Sequence, residues 1–175
     1  MSAPKPKQLE MIWPEDRPAP SPPLPPDFEL RLLGEGEEEA HAELMRSAGF
    51  DWTASRLTEW RQHQLPDGHF VIEHRPDGRL AATAMANHRP SERHPFGAEL
   101  GWVATAPEFR GRRLGEAVCA AAIARCRAAG YRRIYLKTDD YRISALRLYL
   151  RMGFLPLETD ADQAARWRAI RDAAR

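Results

Sequence analysis

Residues 96–138 constrain the fold most. Phe96–Thr105 is β-like, Arg112–Ala129 is alanine-rich and helical up to Gly130, and Arg133–Thr138 alternates as a strand through Ile134 and Leu136. Alanine is the strongest helix former, and glycine accepts the left-handed turn that ends a helix. A strand, a long helix and a second strand in so short a span belong to a layered α/β domain. The chain has 175 residues, which at about 150 per domain means one domain with some tail. That length buries a core without disulfide or metal staples.

The flanking sequence supplies the other elements. Phe28–Leu33 alternates as a strand. Glu35–Ala48 reads as a helix whose acidic start, Glu37-Glu38-Glu39, suits the positive end of its dipole, with Gly49 as cap. Thr53–Gln62 is a second helix, with Leu57 and Trp60 on one face. His69–His74 and Arg79–Asn87 form a hairpin around the turn residues Pro76-Asp77-Gly78. Ile143–Met152 is a helix closed by Gly153, Phe154–Leu157 a short strand, and Asp162–Ala173 a last helix with Trp167 and Ile170 facing the body. The predicted class is α/β (α+β), with a mixed central sheet flanked by helices over residues 27–175.

Nine of the 15 prolines fall before Asp27. Proline removes a backbone donor and disfavours helix in its predecessor, so residues 1–26 are expected to be an extended or disordered arm. It reads as a tail pinned through Met11-Ile12-Trp13, or as a proline-rich ligand for a partner groove.

Charge and cysteine usage exclude several functions. Lys+Arg total 26 against 25 Asp+Glu, a net charge of +1. That leaves no surplus for nucleic acid or an anionic membrane. There is no apolar run of about 18 residues for a membrane span and no secretory leader pattern. Two cysteines without a Cys-x-x-Cys pair, and six histidines without ligand spacing, predict no metal and a reducing cytoplasm. Cys119 and Cys126, seven apart on the helix, read as packing residues rather than nucleophiles.

The chemistry lies in Val103–Gly115. A β-run ends, a loop carries Arg110, Gly111, Arg112 and Arg113, and a helix begins through Leu114 and Gly115. Free N–H groups at a helix start cradle anions, glycines let a ligand approach the backbone, and arginines add forked donors. This predicts a phosphate or pyrophosphate site. It lacks the Gly-Lys-Ser/Thr of a Walker loop and the Gly-x-Gly-x-x-Gly of a dinucleotide fold. The same residues also fit a solvated basic helix start with a packing glycine.

Pro107-Glu108-Phe109-Arg110-Gly111-Arg112-Arg113-Leu114-Gly115 resembles the acyl-CoA loop of the GNAT superfamily of N-acetyltransferases, Arg/Gln-x-x-Gly-x-Gly/Ala, with Arg113 where the family usually has glycine. Ala145, Leu148-Tyr149 and Gly153-Phe154 match its second motif, with Arg142 where asparagine is common. The resemblance is close over about residues 96–157. It implies a GNAT-like domain that moves an acetyl group from acetyl-CoA to a primary amine by direct attack, on a small-molecule or peptide acceptor. A homodimer is left open. Arg110, Gly111, Arg112, Arg113, Leu114 and Gly115 would hold the pyrophosphate. Val103 and Thr105 would pair with the pantetheine arm, the Val103 N–H serving as oxyanion donor.

Tyr149 is then the candidate general acid, or else a core tyrosine. Glu99 is the candidate base acting through a water, or else a surface carboxylate or a binder of the acceptor's ammonium. Alternation puts Glu99 on one face with Gly101 and Val103 unless a bulge intervenes. His88, His94, Asp139 and Asp140 either line the acceptor cleft or are ordinary loop residues. Two rival readings are a non-catalytic acyl-CoA sensor on the same fold and an interaction module led by the arm.

Overall fold

A computed structural model describes residues 7–173. In chain order the strands are β1 (Leu9–Trp13), β2 (Phe28–Leu32), β3 (Gln64–His74), β4 (Arg79–His88), β5 (Ala98–Thr105), β6 (Ile134–Thr138) and β7 (Leu155–Pro156). The helices are α1 (Glu38–Ser47), α2 (Ala54–Arg61), α3 (Leu114–Ala128), α4 (Ile143–Met152) and α5 (Ala161–Ala173), with a single 3₁₀ turn at Pro107–Phe109. The strands form one sheet in the order β2-β3-β4-β5-β6-β1-β7. Every neighbouring pair is antiparallel except β5 and β6, which are parallel.

Residues 9–13 correct the expected arm boundary at residue 27. They are extended, but they form a strand inside the sheet, paired with β6 from Leu9↔Thr138 to Trp13↔Ile134 and with β7 at Met11↔Pro156. The reason is alternation: Leu9, Met11 and Trp13 are all fully buried against the core. The prolines begin again at Pro14, just beyond the strand. The proposed proline-rich residues Met1–Pro6 lie outside the described residues.

Strand pairing sorts side chains onto two faces. Leu80, Ala82, Ala84 and Ala86 of β4 join Ala98 and Leu100 of β5 in the larger core, with Ala117, Val118, Ala122 and Ile123 of α3. On the opposite face, Met85 and Ala104 pack with Ala42 and Met45 of α1 and Leu57 of α2. Thr53 caps α2, its hydroxyl accepting from the Arg56 N–H at 3.3 Å.

Two irregularities shape the site. The β5–β6 ladder consists of Ala98↔Ile134 and Glu99↔Tyr135 only, so the parallel strands part after Glu99. In the β4–β5 ladder the register jumps from Met85↔Gly101 to Thr83↔Ala104, leaving Trp102 and Val103 opposite Ala84 alone, with Trp102 at φ 52°. That bulge reverses the parity of β5. Glu99 and Gly101 pair with Asn87 and Met85 on the α1–α2 side. Beyond the bulge Ala104 takes that side, while Val103 packs against the core on the α3 side. The expected shared face of Glu99 and Val103 is therefore overturned by the extra residue.

Candidate functional site

Beside β5, beyond its parting from β6, a cleft of about 700 Å³ opens. One wall is β5 at Val103 and Thr105, one the start of α3, and one Ala145 and Leu148 of α4. Phe50, from the α1–α2 connection, and Tyr141 and Arg142, before α4, stand at its rim. Arg142 lies over the Phe50 ring, its Cζ 3.9 Å from the ring centre, and pairs with Asp139 at 3.7 Å.

The predicted loop forms the base of this cleft. Arg110, Gly111, Arg113, Leu114 and Gly115 all line it. Gly111 has φ 78°, and nothing lies within 4 Å of where a Cβ would project. A side chain there would be strained and would stand in the open approach to the backbone. Leu114 is 1 % exposed, so it contributes its main chain. A Cβ on Gly115 would sit 3.2 Å from Leu148 Cδ2 and 3.3 Å from Thr105 Oγ1, so this glycine lets α3 seat against β5 and α4. The first N–H groups of α3 have no carbonyl of their own helix to bond. The cleft thus presents backbone donors, a helix dipole and the Arg110 side chain together, which fits a diphosphate.

Two arginines depart from expectation. Arg113 does not occupy the first helical turn. It precedes α3 with φ 60°, and its guanidinium donates to both carboxylate oxygens of Glu116 at 3.0 and 2.8 Å. Arg112 turns away from the cleft, with its Cζ 5.8 Å from the Phe28 ring centre. Left-handed residues at Gly111 and Arg113 flank Arg112 and reorient the chain on both sides of it.

Tyr149 lies within one turn of Ala145 and Leu148, which line the cleft, but does not line it itself. It is itself 6 % exposed and stands edge-on to Phe154 at 5.8 Å. Burial pushes its phenol up, aided by the neighbouring Cys119 and opposed by Arg142, so it stays protonated. Burial also pushes Cys119 up, and Cys126 up to about 12, which makes both poor nucleophiles.

Glu99 lies on the α1–α2 side of the sheet, four residues before Val103. Its side chain is 13 % exposed and pairs with Arg89, Nε to Oε2, at 3.4 Å. Burial raises its carboxyl above the usual carboxylate range, against the pull of Arg89 and Lys137. Of the other acceptor-side candidates, His94 is fully buried, stacked on Tyr135 at 3.9 Å and bonded to Glu10 at 3.0 Å. His88 bonds the Tyr131 hydroxyl, and Asp140 pairs with Arg166.

Sequence reasoning missed the aromatic wall beside the bulge. Trp102 meets Trp52 at 4.4 Å, Trp60 at 4.9 Å and Phe50 at 5.9 Å, while Arg56 covers both Trp52 and Trp102. The usable signal was tryptophan density: three of the five tryptophans fall between residues 52 and 102. Among the described residues there is no cluster of three or more metal-ligating side chains and no helix long and apolar enough to cross a membrane.

The domain is a mixed seven-strand sheet flanked by helices, with a cleft at the start of α3, and its fold is that of the GNAT acetyltransferases. The acetyltransferase (GNAT) family model matches residues 37–154, and the chain belongs to that family, whose members use acetyl-CoA. Mycothiol acetyltransferase of Thermobispora bispora is 32 % identical over 156 residues, covering 82 % of this chain and 52 % of the relative. That of Saccharomonospora viridis is 26 % identical over 168 residues, covering 89 % and 53 %. The chain spans about half the length of these curated relatives. A putative GNAT acetyltransferase from Novosphingobium aromaticivorans superimposes with a TM-score of 0.61 at 32 % identity, over 85 % of this chain and 59 % of that one. A GCN5-related N-acetyltransferase from Sphaerobacter thermophilus shares the fold, with a TM-score of 0.68 at 21 % identity, over 86 % and 49 %.

Proposed function

We propose that this chain transfers the acetyl group of acetyl-CoA to a primary amine by direct attack. The observation that carries the reading is the α3 cradle, an open glycine backbone and unpaired helix amides at the foot of a cleft walled by β5, α3 and α4. Acetyl-CoA, when bound, supplies an activated acetyl thioester. Arg110 and the amides from Gly111 to Gly115 hold its diphosphate, and the main chain of Val103 and Thr105 pairs with the pantetheine arm. The bulge frees the Val103 backbone from regular pairing, and its N–H stabilises charge on the carbonyl oxygen. Glu99, on the opposite face, takes the amine proton through a water. A carboxyl raised by burial is a stronger base than an exposed one. The Tyr149 hydroxyl, kept neutral by its surroundings, gives its proton to the departing sulfur.

Two relatives are named mycothiol acetyltransferases, so a mycothiol-type amine heads the acceptor screen. The test is calorimetric titration with acetyl-CoA, followed by an assay of thiol release across an amine panel. Saturable binding at submillimolar ligand and amine-dependent thiol release are expected. Tyr149→Phe should lower kcat by roughly 10²–10⁴-fold. No saturable binding would remove the reading. Binding without thiol release for any amine would favour the sensor reading, which the Arg113 and Arg142 departures motivate.

A further inference from the structure

We propose that Arg89 is a positioning residue for Glu99, a guanidinium braced on Trp60 that holds this carboxylate ionised and aimed for its work as base. The inference rests on the assignment of Glu99 given above. Three sets of contacts carry it. The Arg89 main chain is fixed at both ends, its N–H donating to the Gly97 carbonyl at 3.1 Å and its carbonyl accepting from the Tyr135 hydroxyl at 2.6 Å. Its Cζ lies 4.7 Å from the Trp60 ring centre, within cation–π range. Its Nε then reaches Glu99 Oε2 at 3.4 Å. Trp60 in turn meets Trp102 in the bulge. One side chain therefore connects α2, the 89–97 loop and the carboxylate beside the bulge.

The surroundings of Glu99 set what this support works against. Asn87 faces it from β4, uncharged and with both side-chain polar atoms buried and unpartnered among the described residues. Tyr135 and Lys137 stand on β6, and Glu10 on β1, paired with His94 and Arg93 of the loop. Burial and Glu10 both favour the protonated, inert form of Glu99, and Lys137 and Arg89 oppose them. Arg89 is the cation in ion-pair contact with the carboxylate. Arginine suits the place because its flat guanidinium stacks on an indole and stays charged at any working pH.

The experiment labels the full chain with glutamate carrying ¹³C at the side-chain carboxyl and titrates it by NMR. Glu99→Gln identifies the Glu99 resonance by its loss. Arg89→Met and Arg89→Gln should raise the Glu99 midpoint by about 1–3 pH units, the effect of a neighbouring opposite charge. Trp60→Leu should raise it by less, and Arg89→Lys should keep it near the parent value. Thermal melts identify any variant that fails to fold, and the two neutral substitutions back each other up. An unmoved midpoint in a folded neutral variant would overturn the role of Arg89, because a merely structural residue leaves the titration in place. The assignment of Glu99 fails separately: Glu99→Gln would then release thiol from acetyl-CoA at the parent rate with an amine that the parent accepts.

Discussion

Trp13→Ala tests whether the N-terminal segment is part of the domain. Trp13 is fully buried, meets Phe154 edge-on at 5.0 Å, and donates its Nε1–H to the Arg17 carbonyl at 2.9 Å. Its strand lies between β6 and β7. Truncating a buried tryptophan to alanine costs about 3–5 kcal/mol. For a chain of this size each kcal/mol lowers Tm by roughly 2–4 °C, so the variant should melt about 6–20 °C lower. Against a typical total of about 5–15 kcal/mol, that is a large share. Chemical denaturation followed by circular dichroism and tryptophan fluorescence would give the free energy, with Glu15→Ala as control. Glu15 is in the same segment, but its pair with Arg132 is exposed at 46 % and 78 %, so its loss should fall within about 0.5 kcal/mol. A Trp13→Ala cost below about 1 kcal/mol would refute the reasoning and return residues 9–13 to a detachable arm. By the same logic, a truncation starting at Asp27 removes a strand paired on both sides, with β6 and β7, and cannot separate arm from catalysis.

Three further outcomes follow from the site and the core. Arg110→Ala should weaken CoA binding about 10–100-fold, the worth of a charge-assisted contact, and weaken dephosphorylated pantetheine much less; equal losses in calorimetry would contradict a phosphate role. Cys119 and Cys126 should resist a thiol reagent at pH 8 in the native protein and react once it is denatured, because both are buried and neither forms a thiolate readily; rapid native labelling would count against that picture. His41 is fully buried and its imidazole is pushed down from 6.5 to about 4 by burial. The unfolded chain takes up that proton first, so stability is complete above pH 6.5 and declines by up to about 3 kcal/mol as pH falls toward 4. His69, 4.6 Å away and likewise depressed, acts in the same direction. His41→Phe should flatten the acid limb in urea melts, and an unchanged slope would remove His41 as its source.

The elements from Phe28 onward were legible because each carries its own local signal. The turn at Pro76-Asp77-Gly78, the alanines of α3 and the glycines after α3 and α4 mark their boundaries without tertiary help. Leu9–Trp13 was obscured because its alternation is five residues long and lies among prolines that argue for a loose tail. The start of β3 was lost for a related reason. The strand expected from His69 starts at Gln64 and runs through Pro66, Asp67 and Gly68 as an enlarged bulge between Gln64↔Asn87 and His69↔Met85. At the site, the phosphate cradle was visible because its requirements are local: glycine, arginine and a helix start. The bulge at Trp102 was not, since an extra residue in one strand shows only against its partner. Glu99 could be singled out by position in the chain, but its pairing with Arg89, ten residues away, depends on how the loop folds back.

The place of β1 also sets the order in which the molecule can be completed. Leu9 finds its partner at Thr138 and Met11 finds one at Pro156, so β1 has no sheet partner until β6 and β7 have been synthesised. Contacts so distant along the chain are slow to close, which predicts late docking of β1 between β6 and β7, to be checked by the folding rate of Trp13→Ala.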